Sequence, residues 1–165
     1  MKSKYLAIPL IAVIIDQFIK SIVRAYFYTH RISDFTVIPN FLSLVDSYNP
    51  GGAFGILQNT PTLFLALSTI FSLAALILLV SVFKTTTPVL WGLGLVAGGA
   101  IGNLVDRARY GSVYDFIDCY IGTYHWPAFN AADAFIVIGT GLLLFSIMRG
   151  KKTSTAETTE NAEGN

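Results

Sequence analysis

From residue 63 to 83, and again from 85 to 105, the chain carries no charged side chain. A hydrocarbon layer about 30 Å thick takes roughly 20 helical residues to cross. Two such runs, separated by Lys84 alone, predict a pair of antiparallel membrane helices. A third run, 126–148, holds one charge, Asp133, and a fourth, 5–24, is interrupted by Asp16, Gln17 and Lys20. The expected fold class is an all-α polytopic membrane protein: four transmembrane helices with a small extracytoplasmic β-containing segment. Composition agrees. The chain is 53% hydrophobic and 13% charged, against roughly 25% charged in an ordinary soluble domain. A soluble chain of 165 residues has too little interior to hide so much apolar surface.

The first segment resembles the start of a cleavable signal peptide, with Lys2 and Lys4 ahead of an apolar run. However, Asp16, Gln17 and Lys20 fall where the cleavage region belongs, and no small-x-small site follows, so a retained helix is expected. Asp16 and Lys20 stand four residues apart, share a helical face and can neutralise each other there.

Residues 26–61 and 106–125 form two sizeable loops on one side of the bilayer, while 84–88 make a tight turn on the other. Lys2, Lys4, Lys84, Arg149, Lys151 and Lys152 cluster at helix ends on the turn side. Lys20, Arg24, Arg31, Arg107 and Arg109 belong to the other. The positive-inside rule then puts both termini in the cytoplasm. Residues 1–150 read as a single membrane unit. Residues 151–165, rich in Thr, Glu, Ala and Gly, read as a disordered cytoplasmic tail that holds all three glutamates. Alternation in "DFTVIPNFLSLVDSYN" suggests short strands, a small sheet resting on the outer membrane face.

Several function classes drop out. A net charge of +1 gives no electrostatic footprint for nucleic acid. Cys119 is the lone cysteine, so neither an intrachain disulfide nor a cysteine metal cluster is possible, and His30 and His125 lack ligand spacing. No metal or cofactor is expected.

The third helix carries "GLGLVAGGAIGNLVDR", in which Gly94, Gly98 and Gly102 line one face. That spacing lets a neighbouring helix approach closely. Its outer end brings Asn103, Asp106 and Arg107 to one face beside Gly99. Asp115 follows just beyond. Residues 134–148 span about 22 Å as helix, less than the hydrocarbon layer, so the fourth helix must begin near Phe129. Asp133 then lies about one turn below the outer surface, with Asn130 on the same face. Asp115 and Asp133 flank one loop at one depth and can meet.

Two carboxylates that close share one proton, the arrangement by which aspartic proteases hydrolyse amides. Bland alternatives exist: Asp133 can cap the fourth helix, and Asp115 can pair with Arg107 or Arg109. Other chemistries are thinner. No H-E-x-x-H pair occurs. Ser21 beside Lys20 points to a different helix face, and Cys119 near His125 reads as inert packing. Asp106, Asp115 and Asp118 as an ion site compete with a solvated loop.

Five blocks in order resemble lipoprotein signal peptidase, the signal peptidase II family. They are "DQFIK" in the first helix, "NPGGAFG" at 49–55, "GGAIGNLVDR" at 98–107, "VYDFID" at 113–118 and "FNAADA" at 129–134. The resemblance implies a bacterial inner-membrane aspartyl endopeptidase. It would remove the signal peptide of diacylglyceryl-modified prolipoproteins, cutting before the lipidated cysteine at the outer face. It maps the catalytic pair onto Asp115 and Asp133, and substrate-binding or dyad-supporting roles onto Asn49, Asn103, Arg107 and Asn130. Asp16 and Lys20 become a mainly structural polar pair. Membrane lipid and the cyclic peptide inhibitor globomycin are the further partners it implies. "NPGGAFG", with Phe54 as an apolar anchor, is expected to cover the cleft as a movable flap. The rival readings are a small four-helix transporter with proton-coupling acids and a non-catalytic assembly protein.

Overall fold

A computed structural model of the chain describes residues 3–50, 61–81 and 86–163. After a single 3-10 turn at Ser3–Leu6 come α1 (Ala7–His30), β1 (Asp34–Ile38), β2 (Leu42–Asn49), α2 (Pro61–Ser81), α3 (Thr87–Tyr110), β3 (Val113–Ile121), β4 (Tyr124–His125) and α4 (Ala131–Glu163). Four helices and a small antiparallel sheet are present, as expected. By length and composition, two helices among the described residues can cross a membrane: α3, and α4 over Ala131–Arg149.

α3 is the hub, against which α1, α2 and α4 all pack. Its glycines explain why. A Cβ on Gly94 would lie 2.8 Å from Ile8 Cβ, and one on Gly98 would lie 2.6 Å from Ala12 Cβ. Gly102 faces Asp16, and Gly92 and Gly99 face the α4 backbone at Gly139 and Ala132. So the glycine stripe seats α1 on one side, while its neighbours seat α4 on another. Small residues at these crossings let backbones touch, which is how helices associate without a hydrophobic driving force between them. On the far face of α1, Leu10, Ile11, Ile14, Phe18 and Ile22 are exposed, as are Val137, Ile138, Phe145 and Met148 on α4. Asp16, Lys20, Asn103 and Asp106 point inward while these apolar side chains face outward, an arrangement suited to a lipid solvent.

The sheet has the order β1-β2-β3-β4, with every pair antiparallel. Strands were expected in residues 26–61, and β1 and β2 are there. The loop 106–125 was expected only as a loop, yet it supplies β3 and β4. Alternation is weak in β3 because its first four residues are all buried, so period two is hidden. At the corner between α3 and β3, Gly111 adopts φ 72° and its N–H closes on Arg107 O at 2.9 Å. A left-handed residue there ends the helix and turns the chain into the strand.

α1 runs past its expected end at residue 24 to His30, and α4 begins at Ala131, close to the expected start. α4 also continues to Glu163, where a disordered tail was expected. Extending an existing helix needs no new nucleus, and Ala, Glu and Lys favour it. Most of the expected flap, 51–55 with Phe54, and Lys84 of the expected turn lie outside the described residues.

Candidate active site

The capping pattern builds the start of α4. Asn130 Oδ1 accepts the N–H of Asp133 at 3.1 Å, and Asp133 Oδ2 accepts the N–H of Asn130 at 3.2 Å. This reciprocal exchange is a capping box made by Asn and Asp, so the bland expectation for Asp133 describes a real interaction. Its other oxygen, Oδ1, accepts Asn103 Nδ2 at 2.7 Å.

Asp115 is placed by strand pairing. β2 and β3 run antiparallel with Ser47 opposite Asp115 and Asn49 opposite Val113. That register brings Asn49 Nδ2 to 2.9 Å from Asp115 Oδ2. The remaining oxygen, Oδ1, accepts Asn130 Nδ2 at 2.6 Å. Asn130 therefore bonds to both acids, to one through its side chain and to the other through its backbone N–H. Asn130 Nδ2 also reaches Asn103 Oδ1 at 3.1 Å. Asn49, Asn103, Asp115, Asn130 and Asp133 thus form one connected cluster.

Asn49, Asn103, Arg107, Asp115 and Asp133 line a cavity of about 810 Å³. Apolar walls from Trp126, Phe129, Val137 and Ile138 complete it. Arg107 donates from Nη1 to Asn103 O at 3.3 Å. Asp115 is 4% exposed. Burial, with the Asp133 carboxylate adding to it, pushes its carboxyl up from 3.8 to about 6 against the pull of the Asn49 and Asn130 hydrogen bonds.

Asp16 and Lys20 pair at 2.9 Å, essentially buried. Lys20 also reaches Asp106 at 2.8 Å and Asn103 Oδ1 at 3.2 Å, so the first-helix pair adjoins the cluster. Gln17, passed over as a site residue, lies within 3.2 Å of Asp16, Asp106 and Gly102 O. Its place as a polar residue in an apolar helix, within "DQFIK", was the available signal. The thinner chemistries are not assembled. Ser21 donates to Gln17 O, and His125 pairs with Asp118. Among the described residues, no three of His, Cys, Asp and Glu converge on a metal position.

The family profile of signal peptidase (SPase) II matches residues 8–149. A lipoprotein signal peptidase from Syntrophus aciditrophicus (strain SB) is 41% identical over 147 residues, covering 86% of this chain and 90% of that protein. One from Francisella tularensis subsp. novicida (strain U112) is 35% identical over 158 residues, covering 93% and 96%. A solved structure described as a bacterial membrane enzyme superposes with a TM-score of 0.74 at 31% identity, covering 92% of this chain and 91% of that one. By its sequence over nearly the whole of its length, the chain belongs to the signal peptidase II family of membrane peptidases.

Proposed function

We propose that this peptidase is an aspartyl endopeptidase that removes the signal peptide from diacylglyceryl-modified prolipoproteins, cutting before the lipidated cysteine. The observation that carries the reading is Asn130 bonded to both Asp115 and Asp133 at the wall of an apolar cavity. Four helices span the bacterial inner membrane with both termini cytoplasmic, and the site lies near the outer face. Residues 1–150 act as one unit, and residues 151–165 take no part in the chemistry.

Asp115, the more deeply buried acid, carries the shared proton, and Asp133 serves as the base. Asp133 takes a proton from water as the water oxygen bonds to the scissile carbonyl carbon. The proton on Asp115 passes to the carbonyl oxygen, giving a tetrahedral diol. The C–N bond then breaks. Nitrogen leaves with the proton gained by Asp133, and Asp115 recovers its proton from a diol hydroxyl. The products are the carboxylate end of the signal peptide and a free amine on the lipidated cysteine. Asn49, Asn103 and Asn130 hold the acids, while Arg107 binds a substrate carbonyl oxygen. The substrate's acyl chains stay in the outer leaflet, and globomycin competes for the same cavity.

The test is cleavage of a lipidated prolipoprotein by purified enzyme in detergent micelles. Asp115→Asn and Asp133→Asn should each lower the rate by on the order of 100-fold or more, while inserting and folding normally. Cleavage at the wild-type rate by either variant sinks the mechanism, and tolerance of Asp115→Asn alone would favour a proton-coupled transporter.

A further inference from the structure

Beside the two acids lies a second cluster that the chemistry above does not use. Lys20 is 1% exposed, and Asp16 and Asp106 are both 0% exposed. An ammonium has three N–H donors and no acceptor. The three oxygens within reach of Lys20 Nζ are Asp16 Oδ2 at 2.9 Å, Asp106 Oδ2 at 2.8 Å and Asn103 Oδ1 at 3.2 Å.

Each of these two acids also holds a backbone N–H outside its own helix. Asp16 Oδ1 accepts from Ala132 at 2.9 Å, and Asp106 Oδ2 accepts from Tyr114 at 3.2 Å. Ala132 immediately precedes Asp133, and Tyr114 immediately precedes Asp115. The buried ion cluster thus grips the chain one residue before each member of the pair.

The third contact sets a direction. Asn103 has a donor end and an acceptor end, and Lys20 can only donate. Its ammonium therefore holds Oδ1 and leaves Nδ2 to meet Asp133 at 2.7 Å. Turned over, the amide would set its oxygen against a carboxylate oxygen and its NH2 against an ammonium. Asn130 follows the same polarity, since its Nδ2 donates to Asn103 Oδ1 and to Asp115 Oδ1.

Resting on the aspartyl reading, we infer that Asp16, Lys20 and Asp106 form a positioning unit for the pair. Lys20 fixes the amide polarity of Asn103, and through it the donor on Asp133. The two acids set the backbone that carries Asp133 and Asp115. Lys20 is a positioning residue, because it acts through Asn103.

The test is a double-mutant cycle on full-length enzyme in micelles with a lipidated prolipoprotein. Lys20→Met should lower kcat by on the order of 100-fold, with KM nearly unchanged and the pH–rate profile displaced. In an Asn103→Ala background the same change should cost less than about threefold, because the relay is already cut. Equal losses in both backgrounds, with an unmoved pH profile and a lowered Tm, would reduce the cluster to a fastening and overturn the inference. Should Lys20→Met fail to fold, Lys20→Gln carries the same cycle, because its amide can present either end to Asn103. A lowered kcat with a displaced pH profile that shrinks in the Asn103→Ala background supports the inference, and equal losses with an unmoved profile defeat it. Asp115→Asn and Asp133→Asn run alongside. If both are impaired while the cycle is additive, this inference alone fails; if either cleaves at the wild-type rate, the aspartyl reading fails first.

Discussion

Replacing Asp115 by Asn should abolish cleavage and at the same time remove a pH dependence from the stability of the protein. In the folded chain, burial first and the neighbouring Asp133 charge second raise this carboxyl from 3.8 to about 6. The folded state therefore binds the proton more tightly than the unfolded state does. Its contribution to stability is fully present below pH 3.8 and is lost as pH rises through about 6. The step corresponds to about 3 kcal/mol at ~1.4 kcal/mol per pH unit. The Asn variant cannot titrate. It suffers a different and constant penalty, because its NH2 must face one of the two donors, Asn49 Nδ2 or Asn130 Nδ2. That penalty is about 1–3 kcal/mol, but it does not change with pH.

The quantity to measure is thus the difference between the two proteins as a function of pH. Thermal unfolding in one detergent, followed by tryptophan fluorescence from pH 4 to 8, gives an apparent Tm for each. Relative to the variant, the wild type should lose about 2–3 kcal/mol over this range, or roughly 4–12 °C if soluble-domain scaling holds. Parallel curves would refute the reasoning, whatever their offset. A companion arm uses Asp133→Asn. Removing the Asp133 charge removes one cause of the elevation, so the wild-type step should shrink and move to lower pH. In activity, kcat/KM should fall above about pH 6, as the free enzyme loses the shared proton. Substrate filling the cavity expels water and makes ionisation harder, so the alkaline limb of kcat should lie higher.

Two further outcomes follow from the packing and the register. Gly98→Leu must push its side chain into Ala12 and the Pro9 backbone, so α1 should separate from α3 with a loss of 3 kcal/mol or more, on the order of the worst overpacking changes; an unchanged Tm would contradict the crossing. Asn49→Ala removes one of two donors on Asp115 and should raise the pH of the alkaline limb while cutting kcat by about tenfold, read from the pH–rate profile.

Much of this was legible from one-dimensional pattern. The uncharged runs locate α2 and α3 because a lipid solvent forbids charge over a length that helix geometry fixes. The start of α4 was legible too. Asn130 and Asp133 stand three apart, and the length left to Arg149 is too short for a span beginning at Asp133. What was hidden depends on long-range pairing. Asn49 meets Asp115 because β2 pairs with β3, and β3 is covered on both faces over its first residues, which erases alternation. The resemblance supplied Asn49; spacing alone could not. The C-terminal end of α3 was underestimated for a related reason. Asp106 reads as a helix-ending charge, whereas it turns inward to meet Lys20 from a helix that is far away in the chain.

The two expectations for Asp133, helix cap and catalytic acid, prove to be compatible geometry. A helix start in lipid leaves N–H groups that nothing in the solvent can satisfy, and a carboxylate there needs donors just as badly. The α4 terminus answers both demands together. Asp133 and Asn130 exchange backbone donors across one turn, and Asp16 takes the N–H of Ala132 between them. Asp133 Oδ1 then takes its donor from Asn103 while the residue still borders the cavity. A helix interior would offer no such donors, since its N–H groups are already spent within the helix. A carboxylate in a helical membrane protein is therefore best held where a helix begins, and the position of Asp133 three residues after Asn130 meets that requirement.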